Sequence, residues 1–97
     1  MALVAQLEAL VDVKLCGLDP DGNKFELQTK TEDLSASGFR CGIPMVLSKD
    51  AAVDVFLLTG GDRFAGRAKA VRAGQQIAPL EFYGFQFTEK PNGWLVQ

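Results

Sequence analysis

Asp33, Ser35 and Gly38 are the residues of this chain whose types and spacing could do chemistry. They form Asp-x-Ser-x-x-Gly within Asp33-Leu34-Ser35-Ala36-Ser37-Gly38, between two strand-like runs, Lys24 to Thr31 and Phe39 to Ile43. The chemistry they suggest is recognition by hydrogen bonds rather than bond breaking. Asp and Ser side chains bond nearby backbone N–H groups and present oxygens outward. Gly38 supplies a positive φ, or a close approach that a residue with a Cβ would resist. Two readings stand side by side: a turn whose side chains merely brace the backbone, and a turn whose oxygens contact a polar ligand. Ser37 lies in the same turn. Arg40 follows it closely, where a guanidinium could offer charge-assisted hydrogen bonds to an anion.

Other chemistries find little in the chain. It has no histidine, which removes histidine-based triads and the commonest metal ligand. Cys16 and Cys41 cannot by themselves complete a tetrahedral zinc site. No G-x-x-x-x-G-K-[ST] loop is present. The acidic residues fall mostly in turns or on outer strand faces, without the spacing of a catalytic carboxylate pair. The expectation is a module with no catalytic residues, no metal and no cofactor. Arg63, Arg67 and Lys69 share one strand face, as a solvated outer surface or a small basic patch.

These residues must be positioned by a small fold. The 97 residues make one domain, and 47% are apolar, enough for a modest core without metal or disulfide. A net charge of −2 gives no global attraction for DNA, RNA or anionic membrane. No apolar run reaches membrane-spanning length and no secretory signal is evident, so a cytoplasmic location is expected. There Cys16 and Cys41 are expected as partly buried free thiols; the sequence leaves a disulfide between them open.

Ala2 to Leu10 is rich in helix formers and reads as a short helix or a loose arm. From Val11 the pattern alternates with period two: Val11, Val13 and Leu15 against Asp12, Lys14 and Cys16. Asp19-Pro20-Asp21-Gly22 turns the chain, and Phe25 and Leu27 return on a second strand. A third strand, Phe39 to Ile43, ends at Pro44. Val53, Val55 and Leu57 mark a fourth, Phe64 to Arg72 a fifth and Phe82 to Phe87 a sixth. A loop is expected around Gly74 to Pro79. The tail, Asn92 to Gln97, holds the single tryptophan, Trp94. Regularly spaced strands joined by Gly/Asp turns predict an all-β fold, a six-stranded antiparallel barrel in which closure removes exposed edges. Val11, Val13, Val53, Val55, Phe85 and Phe87 are expected in one core. Phe56 and Leu58 face away from it, under the N-terminal arm, the Trp94 tail or a partner.

The first hairpin, the DLSASG hexapeptide, the PMVL segment, VDVFLL, the strand around Gly66 and the closing Tyr83-Gly84-Phe85-Gln86-Phe87 occur in an order that resembles PilZ domains. The resemblance covers about residues 8 to 88 of a single domain spanning 1–97. It implies a bacterial signalling module that binds cyclic di-GMP through a D/N-x-S-x-x-G turn and an R-x-x-x-R arm preceding the first strand. On that basis Asp33, Ser35 and Gly38, with Ser37 and Arg40 beside them, are the expected ligand contacts. The arm here, MALVAQLEAL, contains no arginine, so weakened or lost affinity is expected. The alternative is a PilZ-like adaptor that binds protein, or a second copy, through Phe56, Leu58 and Trp94. An OB-like nucleic-acid binder would need a basic groove with exposed aromatics, against the net acidity.

Overall fold

The computed structural model describes residues 7–8, 10–77 and 79–94, with side chains at 10–71 and 79–94. Among these residues there are seven strands and no helix, hence none long and apolar enough to cross a membrane. The strands are β1 (Leu7–Glu8), β2 (Asp12–Leu18), β3 (Lys24–Ser35), β4 (Gly38–Ile43), β5 (Ala52–Leu57), β6 (Arg63–Ile77) and β7 (Leu80–Phe87). Six close into an antiparallel barrel in the order β3-β2-β5-β6-β7-β4, with β4 returning to β3. The predicted six-stranded barrel is therefore the observed one, with β1 as a short addition.

Strand β3 carries the closure. Its first part, Lys24 to Lys30, pairs with β2. From Thr31 onward it pairs with β4 on one side, while Asp33 and Leu34 pair with Glu8 and Leu7 of β1. This corrects the helix-or-arm expectation at Leu7 and Glu8, where sheet pairing overrides the local helix propensity; residues 1–6 and 9 lie outside the described residues. The β2–β3 turn forms as its residues dictate. Asp19 Oδ1 accepts from the N–H groups of Asp21 and Asn23, both at 2.9 Å, and Gly22 takes φ 84°.

Alternation places Val13, Leu15, Val53, Val55, Leu57, Tyr83, Phe85 and Phe87 inside. Val11 only packs partly against this core. Strand β6 departs from simple alternation. Val55 pairs with Gly66 but Phe56 with Phe64, so Ala65 is an extra residue in a bulge. Ala65 and Ala68 consequently both turn inward, each fully buried, where strict alternation put them on opposite faces. The loop expected from Gly74 is also corrected: β6 continues to Ile77, and Gln76 and Ile77 pair with Glu81 and Leu80 across a register shift.

The described part of the tail, Asn92 to Trp94, places its indole in the core and not over Phe56. Trp94 is 5% exposed and packs in the core, with its ring 5.6 Å from Phe39 and 4.8 Å from Phe87. An indole packed on two phenylalanines gains more from burial than it could on the polar outer sheet. Phe56 is instead half-covered by Phe64, edge-on at 5.4 Å, and by the Lys14 ammonium 4.6 Å above its ring. Leu58 is half-buried near it in sequence. Trp94 is thus not part of an exposed binding surface with Phe56 and Leu58, as the sequence suggested. The described tail ends at Trp94.

Candidate functional site

The hexapeptide is a tight hairpin rather than an open polar loop. Strand β3 runs to Ser35 and β4 starts at Gly38, with Ser35 opposite Gly38 and only Ala36 and Ser37 between them. Gly38 has no positive φ. Its requirement is close approach: a Cβ there would lie 2.0 Å from the carbonyl oxygen of Phe85. The Phe87 N–H donates to the Ser37 carbonyl at 2.8 Å, which fixes the hairpin tip against β7.

The register of this hairpin sets the chemistry. With Leu34 opposite Phe39, Asp33 falls opposite Arg40, and the row continues through Gly84 of β7 to Val71 of β6. Arg40 Nη2 lies 3.2 Å from Asp33 Oδ2 and 3.4 Å from Glu32 Oε2. Asp33 keeps only 15% of its side chain exposed, Arg40 44%. The Ser35 hydroxyl has long contacts, 3.4 Å to Ser37 Oγ and 3.5 Å to the Gly38 carbonyl. At those lengths the bonds are weak and the hydroxyl can be recruited by a better partner.

All five expected contact residues, Asp33, Ser35, Ser37, Gly38 and Arg40, line one groove of about 340 Å³, together with Phe39, Val71, Gly84, Phe85 and Gln86. Gly84 is glycine for a different reason from Gly38. The nearest atom to its Cβ position is the Val71 carbonyl oxygen at 3.8 Å, so a side chain would fit and would project over the groove floor. Sequence reasoning missed Glu32, Val71, Gly84 and Gln86 as neighbours of the motif. Gly84 was visible within the closing strand, but its position beside Arg40 required the β4–β7 register. Arg40 is the one cation among the described lining residues, and it already faces two carboxylates.

The other sequence candidates lie elsewhere. Arg67 pairs with Asp54 at 3.1 Å, and Arg63 donates to the carbonyls of Asn92 and Gly93, each at 3.1 Å. Both arginines are thus engaged and do not join Lys69 in a free basic patch. Cys16 and Cys41 are free thiols. Burial pushes the Cys41 thiol up to about 12, with Glu32 adding to the shift. Burial, then the Glu26 carboxylate, raises Cys16. Neither has the lowered pKa of a reactive thiolate.

No family model and no curated protein matches the chain. Among solved structures it is similar to the crystal structure of the PilZ domain of CeSA from a cellulose-synthesizing bacterium. The identity is 23%, the TM-score 0.56, and the match covers 87% of this chain and 82% of the other. The likeness is one of fold: the barrel is PilZ-like, as the order of sequence motifs implied.

Proposed function

We propose that this domain is a cytoplasmic, non-enzymatic signalling module of the cyclic di-GMP-binding kind, with weakened affinity for that ligand. The observation that carries the reading is the convergence of Asp33, Ser35, Ser37 and Arg40 on one groove of a PilZ-like barrel. Asp33 can accept from a guanine N–H edge, Ser35 can donate to a ligand oxygen, and Arg40 is the group suited to a phosphate. Two features weaken binding. Residues 1–10 contain no arginine, and Arg40 must leave Glu32 and Asp33 before it can serve a phosphate. Charge-assisted hydrogen bonds contribute roughly 1.5–3 kcal/mol each. Losing about two of them lowers affinity by on the order of 10²–10⁴-fold.

Calorimetric titration with cyclic di-GMP at low and moderate salt tests this reading. Weak, salt-sensitive binding that is lost in Asp33→Ala or Ser35→Ala is expected. Adding an R-x-x-x-R segment ahead of Leu7 should strengthen it, with the gain again dependent on Asp33 and Ser35. Sub-micromolar binding indifferent to both residues would place the site elsewhere. A second reading is a protein-binding adaptor that uses no nucleotide. It is favoured by the self-neutralised Arg40 and by the exposed Phe64, 47% accessible beside Phe56. An arm-extended chain that still fails to bind would select it.

A further inference from the structure

Ser35 faces two ways. Its side chain lines the groove, while its backbone carbonyl accepts a 2.7 Å hydrogen bond from Trp94 Nε1. Phe39, next to Gly38, is also a groove residue, and its buried ring packs on the inner side against Trp94 at 5.6 Å. Phe85, stacked on Phe39 at 5.2 Å, is a further groove residue in the same aromatic stack. The chain bearing Trp94 is itself tied down. Arg63 donates to the carbonyls of Asn92 and Gly93, and the Asn92 N–H donates to the Ala65 carbonyl at 2.7 Å. Gly93 takes φ 61° where the chain bends toward the core, and a Cβ there would strike the Arg63 guanidinium.

We infer that Trp94 is a latch on the groove hairpin: its indole N–H on Ser35 and its ring on Phe39 hold Leu34 to Phe39 in the ligand-ready shape. Groove occupancy and the seating of the Asn92 to Trp94 segment are then one coupled equilibrium. The coupling is positive. A seated indole fixes the carbonyl of Ser35 and so limits where its hydroxyl can point, which lowers the ordering cost a ligand must meet. By reciprocity a groove ligand must tighten the seating of Trp94. Trp94 thereby senses the groove, although it is not among the described residues of the groove wall.

The latch can be tested without any ligand. Trp94→Phe keeps a ring against Phe39 and Phe87 but removes the donor to Ser35. Arg63→Ala loosens the Trp94 segment without touching the hairpin. In both variants, amide hydrogen exchange across Leu34 to Phe39 should quicken about fivefold, the effect of one typical hydrogen bond. Exchange at Val13, Leu15 and Val55 should stay unchanged. Unchanged hairpin exchange in Trp94→Phe would overturn the latch. So would equal acceleration at all these amides, which reports global destabilisation instead. A second arm rests on the proposed ligand. Cyclic di-GMP should shift the emission of the single tryptophan, and Trp94→Phe should weaken binding about fivefold. Binding with unaltered emission and unaltered affinity in Trp94→Phe also overturns the coupling. Failure of cyclic di-GMP to bind at all counts against the proposed function, and the exchange measurement then decides the latch alone.

Discussion

The barrel carries two aromatic clusters, and they differ in what surrounds them. Phe39, Phe85, Phe87 and Trp94 stack inside, under the groove. Phe56 and Phe64 meet edge-on at the outer surface beside Lys14, whose ammonium lies 2.6 Å from Asp62. Both combine rings with polar or charged groups. In the inner cluster the polar groups have structural as well as recognition duties: the Ser35 carbonyl holds Trp94 and the Ser37 carbonyl holds Phe87. In the outer cluster the charges pair with one another at the surface, Lys14 with Asp62 and Glu26. Groove residues should therefore be hard to change without altering the fold, and outer residues easy.

The sharpest way to break that contrast is to make one substitution in each cluster. Phe85 is 2% exposed and stacked on Phe39, whereas Phe64 is 47% exposed. Phe85→Ala is expected to cost about 3–5 kcal/mol in chemical denaturation. Phe64→Ala should cost less than about 1 kcal/mol, chiefly its edge contact with Phe56. Comparable losses in the two variants would show that the outer cluster is structural after all.

The two groove glycines separate packing from openness within the site. Gly38→Ala forces a methyl to within 2.0 Å of the Phe85 carbonyl oxygen and must part β4 from β7. A loss of roughly 1–3 kcal/mol is expected. Gly84→Ala meets only the Val71 carbonyl oxygen at 3.8 Å, so the barrel should keep its stability while the groove becomes shallower. Thermal melts of both variants check this, and equal destabilisation would contradict the assigned roles.

The cysteines extend the contrast to pH. Cys41 lies inside and its thiol is held up to about 12 by burial, against about 8.5 in an unfolded chain. A thiol with a raised folded pKa contributes stability that is fully present below the unfolded value. That stability is lost as pH rises through the window between about 8.5 and 12, at up to ~1.4 kcal/mol per pH unit. Cys41→Ala should flatten this part of the stability profile relative to the parent chain. In the native protein at neutral pH, a thiol reagent should reach half-buried Cys16 before Cys41. Identical alkaline profiles for parent and variant would show that Cys41 does not titrate as its burial demands.

Much of this was legible because its causes are local. The Asp19 to Gly22 turn carries its own chemistry, and Phe85 and Phe87 alternate with Gly84, Gln86 and Thr88. The Ala65 bulge was not legible, since Phe-Ala-Gly-Arg-Ala-Lys-Ala offers little contrast between faces. The hairpin was hidden because Ala36-Ser37 lacks the Asn-Gly or Asp-Gly of two-residue turns. Once Ser35 is known to face Gly38, counting back two residues places Asp33 opposite Arg40. The sequence contained that pair but not the register that makes it. Trp94 was misplaced because a tail's docking site depends on the finished barrel end, which no local pattern describes.

Arg40 gives a small expected effect on stability and the finest test of the comparison, because it belongs to the groove yet is nearly half exposed. Its ion pairs with Asp33 and Glu32 are partly solvated, and such pairs contribute about 0–1 kcal/mol. Arg40→Ala should therefore lower stability by less than about 1 kcal/mol, and added salt should shrink the difference further. If the groove takes a phosphate ligand, the same variant should lose binding by more than its stability change implies. Glu32→Gln should do the opposite, freeing the guanidinium from one competitor and strengthening binding a few-fold. Parallel calorimetric titrations and melts of the two variants decide the matter. Opposite shifts in affinity at nearly constant stability would make Arg40 a recognition residue, whereas a large stability loss in Arg40→Ala with no effect of Glu32→Gln on binding would make it a strand-to-strand brace.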